Sequence, residues 1–196
     1  MSDDTVGKMS YPLFDGFTME QYYPEILKGL KTRLLRSLDR SSKVLLVRLD
    51  FRYPESLIDY YEDNTCLSCF LDLYVRRQKD MLLEYVWVRE QAESKHCHWH
   101  TVFFFNQNRM RFFAFPEKED LLWKISIARN YLVDRKTLPQ WGLVESSPKI
   151  KNGFLVKRQD PELIDEALRI ISYLAKKKTK ENTPSHVHKW GASDGK

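Results

Sequence analysis

The chain has 196 residues, enough for one domain with a sizeable core and cramped for two. Its hydrophobic content of 42% is that of a globular protein, and no run approaches the roughly 18 apolar residues of a membrane span, so no membrane association is expected. Lys and Arg number 32 against 27 Asp and Glu, and the resulting net charge of +5 favours a polyanionic partner without deciding on one.

The opening MSDDTVGKMSYP lacks the basic segment and apolar stretch of a secretory signal, which predicts a cytoplasmic protein. Residues 1–22 carry no period and read as an irregular arm. From Pro24 to about Leu38, Ile26, Leu27, Leu30, Leu34 and Leu35 recur at helical spacing among Lys28, Lys31, Arg33 and Arg36, so an amphipathic basic helix is predicted. Lys43 to Tyr53 is rich in aliphatic residues and stops at Pro54, as a strand does. Its Leu45, Val47, Leu49 and Phe51 share one side, with Arg48, Asp50 and Arg52 on the other. That second side is either an edge facing water or the floor of a polar site.

A helix is predicted over Leu67–Leu82, then a strand over Leu83–Glu90, the polar connection QAESK, and a strand over His96–Asn106, which together make a hairpin. Cys66 and Cys69 stand at i,i+3 in CLSC. Three cysteines are an odd set for disulfides, and no second close Cys/His pair of zinc-finger spacing accompanies them. Residues 117–133 predict another helix, around Leu121, Leu122, Ile125 and Tyr131. Trp141 to Arg158 predicts two short strands joined through Lys151-Asn152-Gly153. Asp160 caps a last helix with Pro161 in its first turn, acidic residues near its start, and Lys176 to Lys178 near its end. After Thr179 the tail is polar and irregular.

The chemistry concentrates in two places. In HCHWH the imidazoles of His96, His98 and His100 leave one face of a strand, neighbours roughly 6.5–7 Å apart along the backbone. Pairing Glu90 with either His96 or His98 across the short loop puts its carboxylate on that same side. Mixed nitrogen and oxygen ligation suits Mn or Mg with phosphate completing the shell; zinc would use the same residues, and a plain surface cluster of histidines is the alternative. On the last helix Arg169, Tyr173 and Lys177 are spaced at i,i+4 with Lys176 at i+3, which places a tyrosyl oxygen among cations, where phosphate would meet it. The alternative is a boundary tyrosine packing beside snorkelling lysines.

Three stretches together resemble the HUH (His-hydrophobe-His) replication initiators and relaxases, in particular the inovirus-type replication proteins of bacterial prophages. KVLLVRLDFRYP is similar to their first motif, His98-Trp99-His100 entering VFFFN to their metal motif, and SYLAKKKTK to their Tyr-x-x-Lys motif with Tyr173 and Lys176. The similarity runs from about Ser41 to the closing KWGAS. It implies an α+β fold with a ferredoxin-like or RRM-like antiparallel sheet, an arm and basic helix over 1–40, an endonuclease core over 41–180 and a tail over 181–196. It also implies that His98, His100 and Glu90 hold a divalent metal, Mg or Mn, with His96 as a neighbour or substitute. Tyr173 would then be the nucleophile, assisted by Lys176, with Arg48, Arg52 and Lys177 on the DNA. The products would be a 5′-phosphotyrosyl link and a free 3′ end on origin DNA. The chain has no helicase domain, so unwinding would fall to a partner, such as a host helicase. A DNA-binding regulator of the same fold, with a structural metal or none, and a strand-transfer enzyme of a mobile element are the competing expectations.

Overall fold

A computed structural model describes residues 13–14, 16–52, 64–91, 97–109, 144–146 and 153–194. Helix α1 spans Pro24–Arg40, strand β1 Lys43–Arg52, α2 Thr65–Arg77, β2 Leu82–Glu90, β3 His98–Asn106, β4 Val144–Ser146, β5 Phe154–Lys157, α3 Pro161–Ser172 and β6 Trp190–Ala192. The helix predicted over 117–133, with Tyr131, lies outside the described residues, as does His96.

The strands form one sheet in the order β4-β1-β3-β2-β6, with β5 also beside β1, and every pairing is antiparallel. Strands β1 and β2 both run antiparallel to β3 and are therefore parallel to each other, so α2 is carried in a crossover connection between them. The predicted hairpin pairs Glu90 with His98, the second of the two registers considered. Two short strands are found between Trp141 and Arg158: β4 lies against Leu49–Phe51 and β5 against Lys43–Leu46, two successive pieces of one edge along β1.

Both faces of the sheet are covered, which explains why β1 and β3 read as nearly continuous apolar runs. Leu45, Val47, Leu49, Phe51, Trp99, Phe103 and Phe105 pack with Leu67, Leu71 and Tyr74 of α2. Leu46, Val86, Val88, Val102 and Phe104 pack with Ile26, Leu30 and Leu34 of α1 and with Ala167, Leu168 and Ile171 of α3. Each fully buried aromatic or aliphatic side chain contributes roughly 1.5–3 kcal/mol, so Phe103, Phe104 and Phe105 fix β3 from both sides.

The basic face of α1 is used internally. Arg33 donates to Ser193 O, and Arg36 and Arg40 approach the buried carboxylate of Glu84 at 3.9 and 3.8 Å. Arg33 thus ties the segment at Ser193 to the helix, and Arg36 and Arg40 tie β2 to it.

The segment after residue 180, expected to be an irregular tail, also differs: it returns to the sheet and adds β6 to the edge of β2. Its signal is short, and Gly191 is the reason it fits. A Cβ there would stand 2.7 Å from three indole atoms of Trp87, itself only 8% exposed. Gly191→Ala is expected to cost about 1–3 kcal/mol as Trp87 is forced off its rotamer, visible as a lowered Tm; an unchanged Tm would mean that β6 is loosely held.

Candidate metal centre and tyrosine

Alternation along the strands sends Glu90, His98, His100, Asp50 and Arg48 to the α1/α3 side of the sheet. In the register Asp50 faces His100 and Arg52 faces His98 across β1 and β3, while Glu90 faces His98 across β2. The charged side of β1 is therefore the floor of a polar site. Arg48 is only 9% exposed. The backbone of Arg52 shares this register, but its side chain lies outside the described residues, as do those of Cys66 and Cys69 in α2.

The histidines, expected as a set of two or three with Glu90, meet as follows. Nε2 of His100 is 3.1 Å from Glu90 Oε2, and Nε2 of His98 is 3.9 Å from that same oxygen. The two rings are 4.8 Å apart between centroids and near perpendicular. One ligand atom from each of Glu90, His98 and His100 lies within 4.8 Å of the others.

On its other side, His100 Nδ1 stands 2.6 Å from Asp50 Oδ1 and 2.9 Å from Arg48 Nη2. One ring nitrogen cannot donate to the carboxylate and accept from the guanidinium at once. The carboxylate contact is the shorter, so we assign the proton to Nδ1. Arg48 is held by Asp50 instead, Nε to Oδ1 at 3.0 Å. A proton on Nδ1 leaves the Nε2 lone pair aimed at a carboxylate oxygen 3.1 Å away, an arrangement that needs a cation between them, either a second proton or a metal ion. A carboxylate fixing the remote N–H of a histidine is also the usual outer support of a metal-binding imidazole. Glu90, His98 and His100 therefore fit a divalent ion, with Asp50 as the orienting group.

Sequence reasoning missed Asp50 in this role, although its parity with Arg48 and Arg52 was visible. It missed Lys180 altogether. Lys180 is fully buried, and its Nζ donates to Glu90 Oε1 at 2.7 Å and to Lys176 O at 3.0 Å. The turn that delivers it is tied down by Gln91 N donating to Thr179 O. Glu90 thus spends one oxygen on an ammonium group and presents the other to the histidines.

Helix α3 begins as predicted, with Asp160 Oδ1 accepting from Leu163 N. It ends short of Lys176 to Lys178, which the sequence placed near its end. Regular α geometry stops at Ser172, Tyr173–Ala175 form a 3-10 turn, and Lys176 leaves in an extended conformation. Tyr173 keeps helical backbone angles one turn after Arg169, which pairs with Glu166, whereas Lys177 lies beyond the turn and its backbone N–H donates to Gln21 O. Lys176 keeps its place, its Nζ 3.6 Å from the centre of the Tyr173 ring and 3.8 Å from that of Phe17. Arg48 lies 5.4 Å from the Tyr173 ring centre while touching His100, so one guanidinium spans the two halves of the site.

Residues 11–193 match the YagK/YfjJ C-terminal domain. The chain belongs to that family. Searches of curated proteins and of solved structures gave no match.

The charges of the site oppose its burial. Desolvation raises the Glu90 carboxyl, yet the hydrogen bond to His100 and the charge of Lys180 outweigh it and hold the group far below the usual carboxylate range. Asp50 behaves likewise, burial being overcome by His100 and Arg48. Burial pushes the Lys180 ammonium down, against the pull of Glu90. A carboxyl held low in the folded state contributes stability that is present above its unfolded pKa, near 4, and lost as pH falls toward the folded value. Asp50→Asn is accordingly expected to lose less stability than wild type between pH 5 and 2, measured by chemical denaturation. Parallel curves would show that Asp50 gains nothing from His100 and Arg48.

Proposed function

We propose that this chain is a replication initiator that nicks single-stranded DNA at an origin, with Tyr173 as nucleophile and a divalent ion, Mg or Mn, held by Glu90, His98 and His100. The observation that carries this is the link between the two halves: the three ligand groups lie on the sheet face against which α3 packs, and Arg48 reaches both His100 and the Tyr173 ring. The strand order β4-β1-β3-β2, with a helix crossing from β1 to β2, is also that of a ferredoxin-like sheet, which supports the resemblance to HUH initiators.

In this mechanism the Tyr173 oxygen forms a bond to phosphorus, the bond to the 3′ oxygen breaks, and the tyrosyl proton ends on that 3′ oxygen. An ion held by Glu90, His98 and His100 would polarise the scissile phosphate. Asp50 keeps His100 in one tautomer, Lys180 keeps Glu90 ionised and oriented, and Arg48 and Lys176 place positive charge beside the Tyr173 ring. Because the 5′-phosphotyrosyl link conserves the phosphodiester, the same site rejoins DNA by the reverse step.

A second reading has its own support. With a proton between His100 and Glu90, the Asp50-His100-Glu90-Lys180 chain is complete without metal, as suits a DNA-binding regulator of the same fold.

Incubation with circular single-stranded DNA and Mn or Mg, followed by a denaturing gel, separates the two, since only the initiator leaves a covalent protein-DNA adduct. Replacing His98 and His100 together with Ala is expected to abolish adduct formation and leave most DNA affinity, because phosphate contacts dominate binding. An adduct at full yield in that variant would remove the metal from the mechanism.

A further inference from the structure

We propose that Arg89 anchors a binding site for an oxyanion, a carboxylate or a phosphate, on the sheet face opposite the histidines. Arg89 stands next to Glu90 in β2, so alternation turns it to the α2 side, where it faces Trp99 in the β3 register. The residue is 2% exposed. Its Nη2 reaches Gln91 Oε1 at 3.3 Å, a long contact, and its Nε and Nη1 have no hydrogen-bond partner among the described residues.

The neighbours explain why no described residue on this face answers it. The Trp99 indole offers only a donor, already given to Asn64 Oδ1. The nearby Lys189 carbonyl accepts from the backbone N–H of Arg89. Glu90 points to the other face and is held by Lys180 and His100. Guanidinium groups stay cationic in proteins, and burying one without a counter-charge is strongly unfavourable. A second unanswered donor lies at the same end of β2. Asn182 Nδ2 donates to Gln91 O, and the next residue, Thr183, has a buried hydroxyl without a partner among the described residues. A buried planar cation with two nitrogens unanswered among the described residues is the chemistry of an oxyanion site.

The test is thermal unfolding of the full chain and of Arg89→Met in chloride, then with inorganic phosphate or acetate at matched ionic strength. At about a hundred times Kd, a bound anion is expected to raise the wild-type Tm by roughly 5–10 °C. The larger of the phosphate and acetate shifts identifies the ligand's chemistry. Arg89→Met is expected to lose the shift and, having shed an uncompensated charge, to equal or exceed wild type in chloride. If the Met variant does not fold, Arg89→Lys serves, with a weakened phosphate shift expected. Absence of any anion effect on wild type overturns the site, as does a full-sized shift in Arg89→Met or in Arg89→Lys. Wild type indifferent to anions with a strongly destabilised Met variant would instead reveal an ion pair with a carboxylate of the chain itself.

Discussion

Tyr173→Phe is expected to leave a folded protein that binds single-stranded DNA and metal and forms no covalent adduct. The substitution keeps what the ring does. Tyr173 packs edge-on against Phe14 at 5.3 Å, and the Lys176 ammonium sits over its face at 3.6 Å, contacts that a phenyl ring preserves. Only the hydroxyl oxygen is lost, and it is the attacking atom. A nucleophile that acts in concert with a prepared site is worth at least about a thousandfold in rate, so adduct yield should fall below detection rather than decline modestly. Mass spectrometry of the wild-type adduct after nuclease digestion should place the nucleotide on the peptide containing Tyr173. Finding it on Tyr131 would overturn the site and keep the reaction. No adduct with any metal, with DNA binding intact, would favour the regulator.

Much of the frame was legible because alternation is a strong signal in strands buried on both sides. Arg48, Asp50 and Arg52 could be assigned to one face from parity alone, and either considered register put Glu90 beside the histidines. Asp160 announced α3 through a local capping bond, which depends on residues three apart. What parity cannot carry is a partner arriving from far along the chain. Lys180 reaches Glu90 across 90 positions by way of a turn, and in the sequence it is one more lysine in a basic run. The same limit hid β6, three residues whose place depends on Gly191 clearing Trp87. The end of α3 misled for another reason: helical spacing was extended past Ser172, where the backbone tightens to a 3-10 turn and then bridges to Tyr22. Tyr173 and Lys176 still meet, because their contact spans only three residues; Lys177 does not follow.

Lys180→Met is expected to lower Tm by roughly 6–20 °C without metal, and Mn is expected to recover much of the loss. Met keeps the unbranched stem that fills the buried volume and removes the ammonium. Glu90 is 4% exposed and would then face His100 with its Oε1 unanswered. Breaking a buried ion pair from one side costs about 3–5 kcal/mol, which for a chain of this length corresponds to the stated fall. Replacing Glu90 with Gln in the same protein removes the stranded charge, so the double variant should be more stable than Lys180→Met alone, with a coupling measurable in a double-mutant cycle. The metal makes the experiment decisive between the two proposed functions. An ion bound by Glu90, His98 and His100 supplies the positive charge that Lys180 gave up. Mn should therefore raise the Tm of Lys180→Met more than that of wild type, and the double variant, lacking the Glu90 carboxylate, should respond least. Should Mn leave all three proteins unmoved while the Lys180 and Glu90 substitutions remain coupled, the four-residue chain would be a proton-bridged brace, and the metal-assisted mechanism would lose its site.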